Sequence, residues 1–168
     1  MGIQASLTGH LVFSTLHTND APTAVTRMID MGVPGYLVAS SVVAILAQRL
    51  VRTICPKCRA RHTPSEAAIK EAGLTPEQLE GANFMRGKGC NSCQKSGFRG
   101  RIGIYEMLIV DSKVREMIYA NSPAQEIRTY AMGAGMSTLY QDGIDKVLKG
   151  QTTFDEVYRV AKRTEQDA

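Results

Sequence analysis

Four cysteines are the side chains best suited to chemistry in this sequence, and they fall into two identical spacings, Cys55-Pro56-Lys57-Cys58 and Cys90-Asn91-Ser92-Cys93. Two thiolates separated by two residues can reach one metal ion from a single tight turn. Two such turns supply the four sulfurs of a closed tetrahedral site. Zinc suits soft thiolates and needs no redox partner, so it is the default metal, in a structural role. The alternatives fit less well. A disulfide framework belongs to secreted chains, and the first residues here do not read as a secretory signal. A thioredoxin-like pair would need only one C-x-x-C, and iron–sulfur clusters have other common spacings. His62 could replace a cysteine, but four sulfurs already close the shell, so it reads as a surface residue.

The spacing between the pairs is long. Arg59 to Gly89 places 31 residues between them, where paired knuckles usually have fewer than about 20. Each doubling of a loop costs only about 0.6 kcal/mol of closure entropy, so an insertion is tolerable. Arg52, Lys57, Arg59 and Arg61 crowd the first pair. Cations there favour thiolates and offset the double negative charge of a four-thiolate zinc site.

The second candidate group is His17 with His10. Leu11 to Leu16 is a nearly continuous apolar run, the pattern of a strand buried on both faces as in a parallel sheet. His17-Thr18-Asn19-Asp20 follows it directly, with three N-cap types and then Pro22 for a first turn. Strand, polar loop and helix form the geometry of an α/β sheet, where ligands bind beyond the carboxyl ends of the strands. His17 sits at that end, beside a helix N-terminus that favours anions. Position alone leaves two readings open: a phosphate-contacting histidine, or one that hydrogen-bonds a neighbouring strand or cap. His10, at the other end of the strand, reads as structural.

The remaining elements must hold these groups. Ile3 to Leu7 reads as the end of a helix stopped near Gly9. Ala21, Ala24, Val25, Met28 and Ile29 make one apolar helical stripe, ended by Gly32 and Pro34. Tyr36 to Val51 reads as a second, buried helix. Between the cysteine pairs, Thr63-Pro64-Ser65-Glu66 and Thr75-Pro76-Glu77-Gln78 open two short capped helices on a small appendage that a metal would staple. Ile102 to Val110 reads as a strand. Asp111 or Ser112 caps a helix bearing Val114, Met117 and Ile118. Ser122-Pro123-Ala124-Gln125 reads as a capping box, Thr138 with Gln141 as another, and Thr153 as the cap of a last helix. The methionine-bearing stripes of these C-terminal helices read as core. Arg163 to Ala168 is a polar tail expected to fray.

Composition bounds the function. The 168 residues suffice for one domain or two small ones, and the net charge of +4 is too mild to imply nucleic acid. The longest apolar run, Tyr36 to Ala47, is too short to span a bilayer. Arg86-Gly87-Lys88-Gly89 is not a phosphate loop. The pattern G-x-x-x-x-G-K-[ST] occurs nowhere, since Gly81 stands one place too far from Gly87 and Gly89 follows Lys88. Met1-Gly2 reads as an added start on a chain cut from something longer.

Several of these motifs together resemble one family. Gly9 to Ala21 is similar to the histidine box of the secretion ATPases, the hexameric motors of type II secretion and type IV pilus assembly. Ala47-Gln48-Arg49-Leu50-Val51-Arg52 with Cys55 and Cys58 resembles their entry into a zinc-binding subdomain, and Gly97 to Glu106 their exit from it. Asp142-Gly143-Ile144, Gly150 to Thr153 and Glu156 to Val160 are similar to their closing helices. Pilus-retraction motors of the superfamily share the histidine box but lack the cysteine pairs, so the cysteines favour an assembly or secretion motor.

The resemblance implies an α/β fold: the C-terminal portion of a RecA-like P-loop ATPase domain, with a small zinc-bound subdomain and a C-terminal helical subdomain. It divides the chain into 1–54 (RecA-like part with the histidine box), 55–98 (tetracysteine zinc subdomain) and 99–168 (strand plus helical extension). Cys55, Cys58, Cys90 and Cys93 would hold structural zinc. ATP and Mg²⁺ would be bound only in the intact protein, because the Walker motifs would lie upstream. The chain alone is expected to be inactive. His17, and less directly His10, would lie near the γ-phosphate, with His17 as a phosphate-state sensor. Implied partners are the rest of the ATPase chain, neighbouring subunits of a homohexamer and an inner-membrane platform protein, with no nucleic acid. The implied location is cytoplasmic, peripheral to the inner membrane. The alternatives are a type II secretion motor in place of a pilus motor, or a stand-alone zinc-stapled module for nucleic acid or protein.

Overall fold

The computed structural model describes residues 2–161 and 163. In chain order they form α1 (Gly2–Leu7), α2 (Ala21–Asp30), α3 (Gly35–Ser41), β1 (Ala44–Ile54), β2 (Arg59–Arg61), α4 (Glu66–Ala72), α5 (Pro76–Glu80), β3 (Met85–Gly87), β4 (Phe98–Ile109), α6 (Ser112–Tyr119), α7 (Ala124–Gly133), α8 (Leu139–Leu148) and α9 (Phe154–Val160). β1 pairs with β4 and β2 with β3. The chain is thus α/β, and it divides into two compact units, Met1–Ala47 with Glu106–Ser137 and Gln48–Tyr105 with Thr138–Ala168. It leaves the first unit along β1 and returns to it along β4. The end of the tail expected to fray, 164–168, lies outside the described residues.

In the first unit, α2, α3, α6 and α7 pack around Val25, Val38, Leu108, Val114, Ile118 and Ile127. α2 starts where its sequence predicts. Asp20 Oδ1 accepts the Thr23 N–H at 2.8 Å, Pro22 lies in the first turn, and Ala21, Ala24 and Val25 are buried. Gly32 follows at φ +90, a left-handed backbone that suits glycine and stops the helix. Asp111 caps α6 through the Val114 N–H at 2.8 Å and also accepts from the Tyr130 hydroxyl at 2.8 Å.

The second unit joins the insertion to the C-terminal helices. Tyr140 stacks on Tyr158 with ring centroids 6.2 Å apart, and Phe84 meets Phe154 at 5.8 Å. The Tyr140 hydroxyl donates to the Ala72 carbonyl at 3.2 Å. The Asn83 N–H donates to Leu148 at 2.7 Å, and the Ile54 N–H to Gln151 at 2.9 Å. α8 and α9 therefore supply the apolar backing that the insertion lacks. Glu156, 2% exposed, ties α9 to β1: it accepts from the Arg52 N–H at 2.9 Å and the Arg52 guanidinium at 2.7 Å. Burial alone would raise the Glu156 carboxyl, but these bonds and Arg159 bring it down to about 2. Arg52 also lies 4.3 Å from the centroid of the Phe98 ring.

Four expectations are corrected. Leu11 to Leu16 is not a strand; Leu11 is 79% and Phe13 88% exposed. An extended apolar run becomes a strand only when a neighbour takes its backbone hydrogen bonds, and no described strand pairs with it. Tyr36 to Val51 is not one helix. α3 ends at Ser41, and from Ala44 the chain is β1, whose side chains alternate in exposure until Val51. Pairing with β4 and the β-branched Val42, Val43, Ile45 and Val51 outweigh the all-round apolarity that suggested a helix. Ser122 does not close a capping box; Pro123 stands at the N-cap of α7 with no side-chain bond. Thr153 precedes α9 but its buried hydroxyl has no hydrogen-bond partner.

Candidate metal centre

Each cysteine pair sits on a tight turn. The Cys58 N–H donates to the Cys55 carbonyl at 3.3 Å, and the Cys93 N–H to the Cys90 carbonyl at 3.2 Å. Proline at 56 and the short 3-10 turn Asn91–Cys93 suit such knuckles. After Cys93, Gln94 and Lys95 take positive φ values of 51 and 63, which fold the chain back over the sulfurs. The Lys95 N–H then donates to the Cys90 carbonyl at 2.9 Å.

The 31-residue insertion does not separate the knuckles because β2 and β3 close it at its base. They pair antiparallel with Arg59 opposite Gly87, Ala60 opposite Arg86 and Arg61 opposite Met85. The ladder continues in the Lys88 N–H bond to the Cys58 carbonyl at 3.0 Å. Gly97 completes the enclosure, its carbonyl accepting from the Cys55 N–H at 2.9 Å. Glycine is needed here. A Cβ on Gly89 would sit 2.7 Å from the Lys95 carbonyl oxygen, and one on Gly97 2.6 Å from that of Gly87.

All four sulfurs lie within 4.8 Å of one another. Cys55 to Cys90 is 3.9 Å, Cys58 to Cys93 3.8 Å and Cys90 to Cys93 3.7 Å. A regular tetrahedron with metal–sulfur bonds of about 2.3 Å has edges of about 3.8 Å. The cluster therefore has the dimensions of a tetrathiolate site and could hold a metal ion. Cys55 and Cys93 are buried, Cys58 and Cys90 half-buried. His62 is exposed and outside the cluster.

The thiols differ in acidity. The Cys90 N–H at 3.2 Å and the Gly97 N–H at 3.3 Å donate to Cys93 Sγ and, against desolvation, bring that thiol down to about 6. Desolvation pushes Cys58 up to about 12, and hydrogen bonds with the other three sulfurs add to the rise. Such thiols share protons that a bound cation would displace. Residues 55–61 and 85–101 hold eight lysines and arginines and no carboxylate, so the surroundings are cationic.

The two histidines lie elsewhere, in the first unit. His10 and His17 are both exposed, and His10 Nδ1 is 3.0 Å from the Thr8 hydroxyl. The helix N-terminus after His17 is already engaged. The Ala21 N–H donates to buried Glu106 at 2.8 Å, and Asp20 takes the Thr23 N–H. Arg128 pairs with Asp20 at 2.8 Å and approaches Glu106 at 3.8 Å. Sequence reasoning missed this cluster. One signal was available: Glu106, Leu108 and Val110 alternate with exposed residues on β4 and beyond, which turns a carboxylate inward with two apolar residues.

Residues 1–159 match the family model described as Type II/IV secretion system protein. Type II secretion system protein E of Aeromonas hydrophila is 48% identical over 164 residues, covering 96% of this chain and 32% of its own length. Type IV pilus assembly ATPase PilB of Thermus thermophilus is 42% identical over 154 residues, 92% of this chain and 17% of its own. The chain thus spans a third or less of these relatives. Among solved structures, the pilus retraction motor PilT with bound ADP aligns with 98% of this chain and 36% of its own, with a TM-score of 0.61 and 20% identity, a likeness of fold.

Proposed function

This chain belongs to the type II/IV secretion system protein family, and on that premise we propose that it is the C-terminal part of a motor ATPase driving type IV pilus assembly or type II secretion. The observation that carries the reading is the match over residues 1–159, supported by relatives of both names at more than 40% identity. The bound metal is zinc, held by Cys55, Cys58, Cys90 and Cys93 in a closed structural site. Four thiolates leave no open position for substrate, so the ion holds together the two ends of the insertion and takes no part in chemistry. ATP and Mg²⁺ bind to sequence outside this chain, which has no phosphate-loop pattern, and the isolated chain is inactive.

His17 is the phosphate-state sensor of the intact motor, with His10 in a lesser role. Its imidazole would donate one hydrogen bond to the γ-phosphate, or orient the attacking water, and register the loss of that phosphate on hydrolysis. Because Glu106 and Asp20 occupy the α2 amides at Ala21 and Thr23, the imidazole would meet the phosphate without help from those donors. The motor works as a homohexamer at the cytoplasmic side of the inner membrane, docked to a platform protein. Among the described residues no helix is long and apolar enough to cross a membrane.

The test has two arms. The purified 168 residues should carry one zinc per chain and show no ATP turnover; turnover independent of zinc overturns the reading. In a full-length protein carrying this segment, His17→Ala should cut turnover at least about ten-fold while zinc and fold persist. A second reading, a nucleic-acid module, draws on the carboxylate-free cationic stretches. Salt titration of oligonucleotide binding separates the two: a steep slope supports the module, and no measurable binding supports the motor.

A further inference from the structure

Two carboxylates and a guanidinium converge on the first turn of α2, three residues after His17. Glu106 is 1% exposed. Its Oε1 accepts the Ala21 N–H at 2.8 Å, and its Oε2 lies 3.8 Å from Arg128 Nη1. Asp20 Oδ1 accepts the Thr23 N–H at 2.8 Å, and its Oδ2 lies 2.8 Å from Arg128 Nη2. Pro22, between them, has no N–H to offer. Each carboxylate thus divides its oxygens between the α2 backbone and one arginine. A carboxylate as buried as Glu106 persists only when it is paired and hydrogen-bonded, so its bonds fix where α2 begins. All three side chains belong to the first unit.

From this geometry we infer that Glu106 and Arg128 are positioning residues for His17, acting through the Asp20–Ala21 backbone. The inference rests on the reading of His17 as the phosphate-state sensor and deepens it. His17 is three Cα–Cα steps of about 3.8 Å from Asp20. A small rotation of the Asp20 backbone therefore displaces the imidazole by ångströms. Misplacement of a reacting group by 1 Å can cost about a hundred-fold in rate. Local sequence does not supply this control. Asp20 alone caps the helix, but its Oδ2 and the Ala21 N–H are held from α7 and β4, 85 residues on in the case of Glu106.

The test uses Glu106→Gln, Arg128→Ala and Arg128→Lys in the full-length motor and in this chain. In the motor, Glu106→Gln and Arg128→Ala should lower kcat at least about ten-fold with KM for ATP within about two-fold, as expected of lost transition-state positioning. Arg128→Lys, which keeps the charge, should recover part of the loss. In this chain, Glu106→Gln should shift the amide resonances of Thr18 to Thr23 and the His17 imidazole signals, while Val114 and Ile118 stay in place. If His17→Ala slows the motor but neither Glu106→Gln nor Arg128→Ala does, and the His17 signals do not move, positioning is overturned and the sensor stands. If His17→Ala leaves turnover intact, the sensor falls and the resonance shifts alone decide the positioning claim. Should Glu106→Gln lose the core resonances, Arg128→Ala carries the test, and unmoved His17 signals in that variant overturn the proposal.

Discussion

Gly87 and Gly97 face each other so closely that neither has room for a side chain. A Cβ on Gly97 would stand 2.6 Å from the Gly87 carbonyl oxygen, and one on Gly87 would run into the backbone of Gly97. This contact brings β3 against the chain entering β4 and holds the Gly97 amide where it donates to Cys93 Sγ at 3.3 Å. Gly97 also takes φ +78, a conformation that costs other residues about 1–2 kcal/mol. Gly97→Ala is expected to lose at least about 2 kcal/mol and to weaken metal retention. Denaturant midpoints and metal stoichiometry measure both; an unchanged midpoint would show that the contact is dispensable.

Without a bound ion, the four thiols of the cluster should differ in reactivity. After chelation at neutral pH, an alkylating agent small enough to reach buried Cys93 should label it before half-buried Cys58, since backbone N–H donation brings the Cys93 thiol to about 6 and desolvation pushes that of Cys58 to about 12. Timed mass spectrometry of the labelled peptides gives the order. Equal rates at the two sites would contradict the asymmetry of the cluster. With metal bound, all four should be protected, and protection should weaken as pH falls and protons compete for the sulfurs.

Glu156 makes part of the stability of the second unit dependent on acid. Its folded value of about 2 lies below the ordinary 4.5. The contribution is therefore full above about pH 4.5 and is lost as the pH falls towards 2. Arg52 and Arg159 are half-exposed partners, so solvent screening reduces the effect to about 2 kcal/mol. Glu156→Gln should flatten the acid limb of a stability–pH curve by that amount. A curve that superposes on that of the parent chain would refute the assignment.

The first unit should lose stability without losing metal. Ile118 is fully buried in its core, and Ile118→Ala is expected to cost about 2–5 kcal/mol from lost burial and the cavity left behind. Metal content should remain at one ion per chain, because the four sulfurs belong to the second unit. Loss of metal in the same variant would show that the two units do not fold separately.

The convergence of the four cysteines was largely legible in the sequence, because a C-x-x-C turn is a local device and spacing alone predicts that two sulfurs can share an ion. Helix starts were legible for the same reason at Asp20, Ser65, Thr75, Asp111 and Thr138, where a side-chain oxygen meets an N–H two or three residues ahead. Ser122 and Thr153 had the same signature without the bond, so the residue type permits a cap and the neighbouring chain decides whether it forms.

What the sequence alone determined is therefore what neighbours along the chain can settle: ligand spacing, caps and apolar stripes. The tertiary structure decided the partners. It made Ala44–Ile54 a strand by pairing it with β4, and it closed a 31-residue insertion through the register of Arg59 with Gly87. It also set Glu106 against an amide 85 residues away. A backbone group or a buried charge is indifferent to sequence distance and must find a hydrogen-bond partner in space, and no pattern read along the chain says which one packing will deliver.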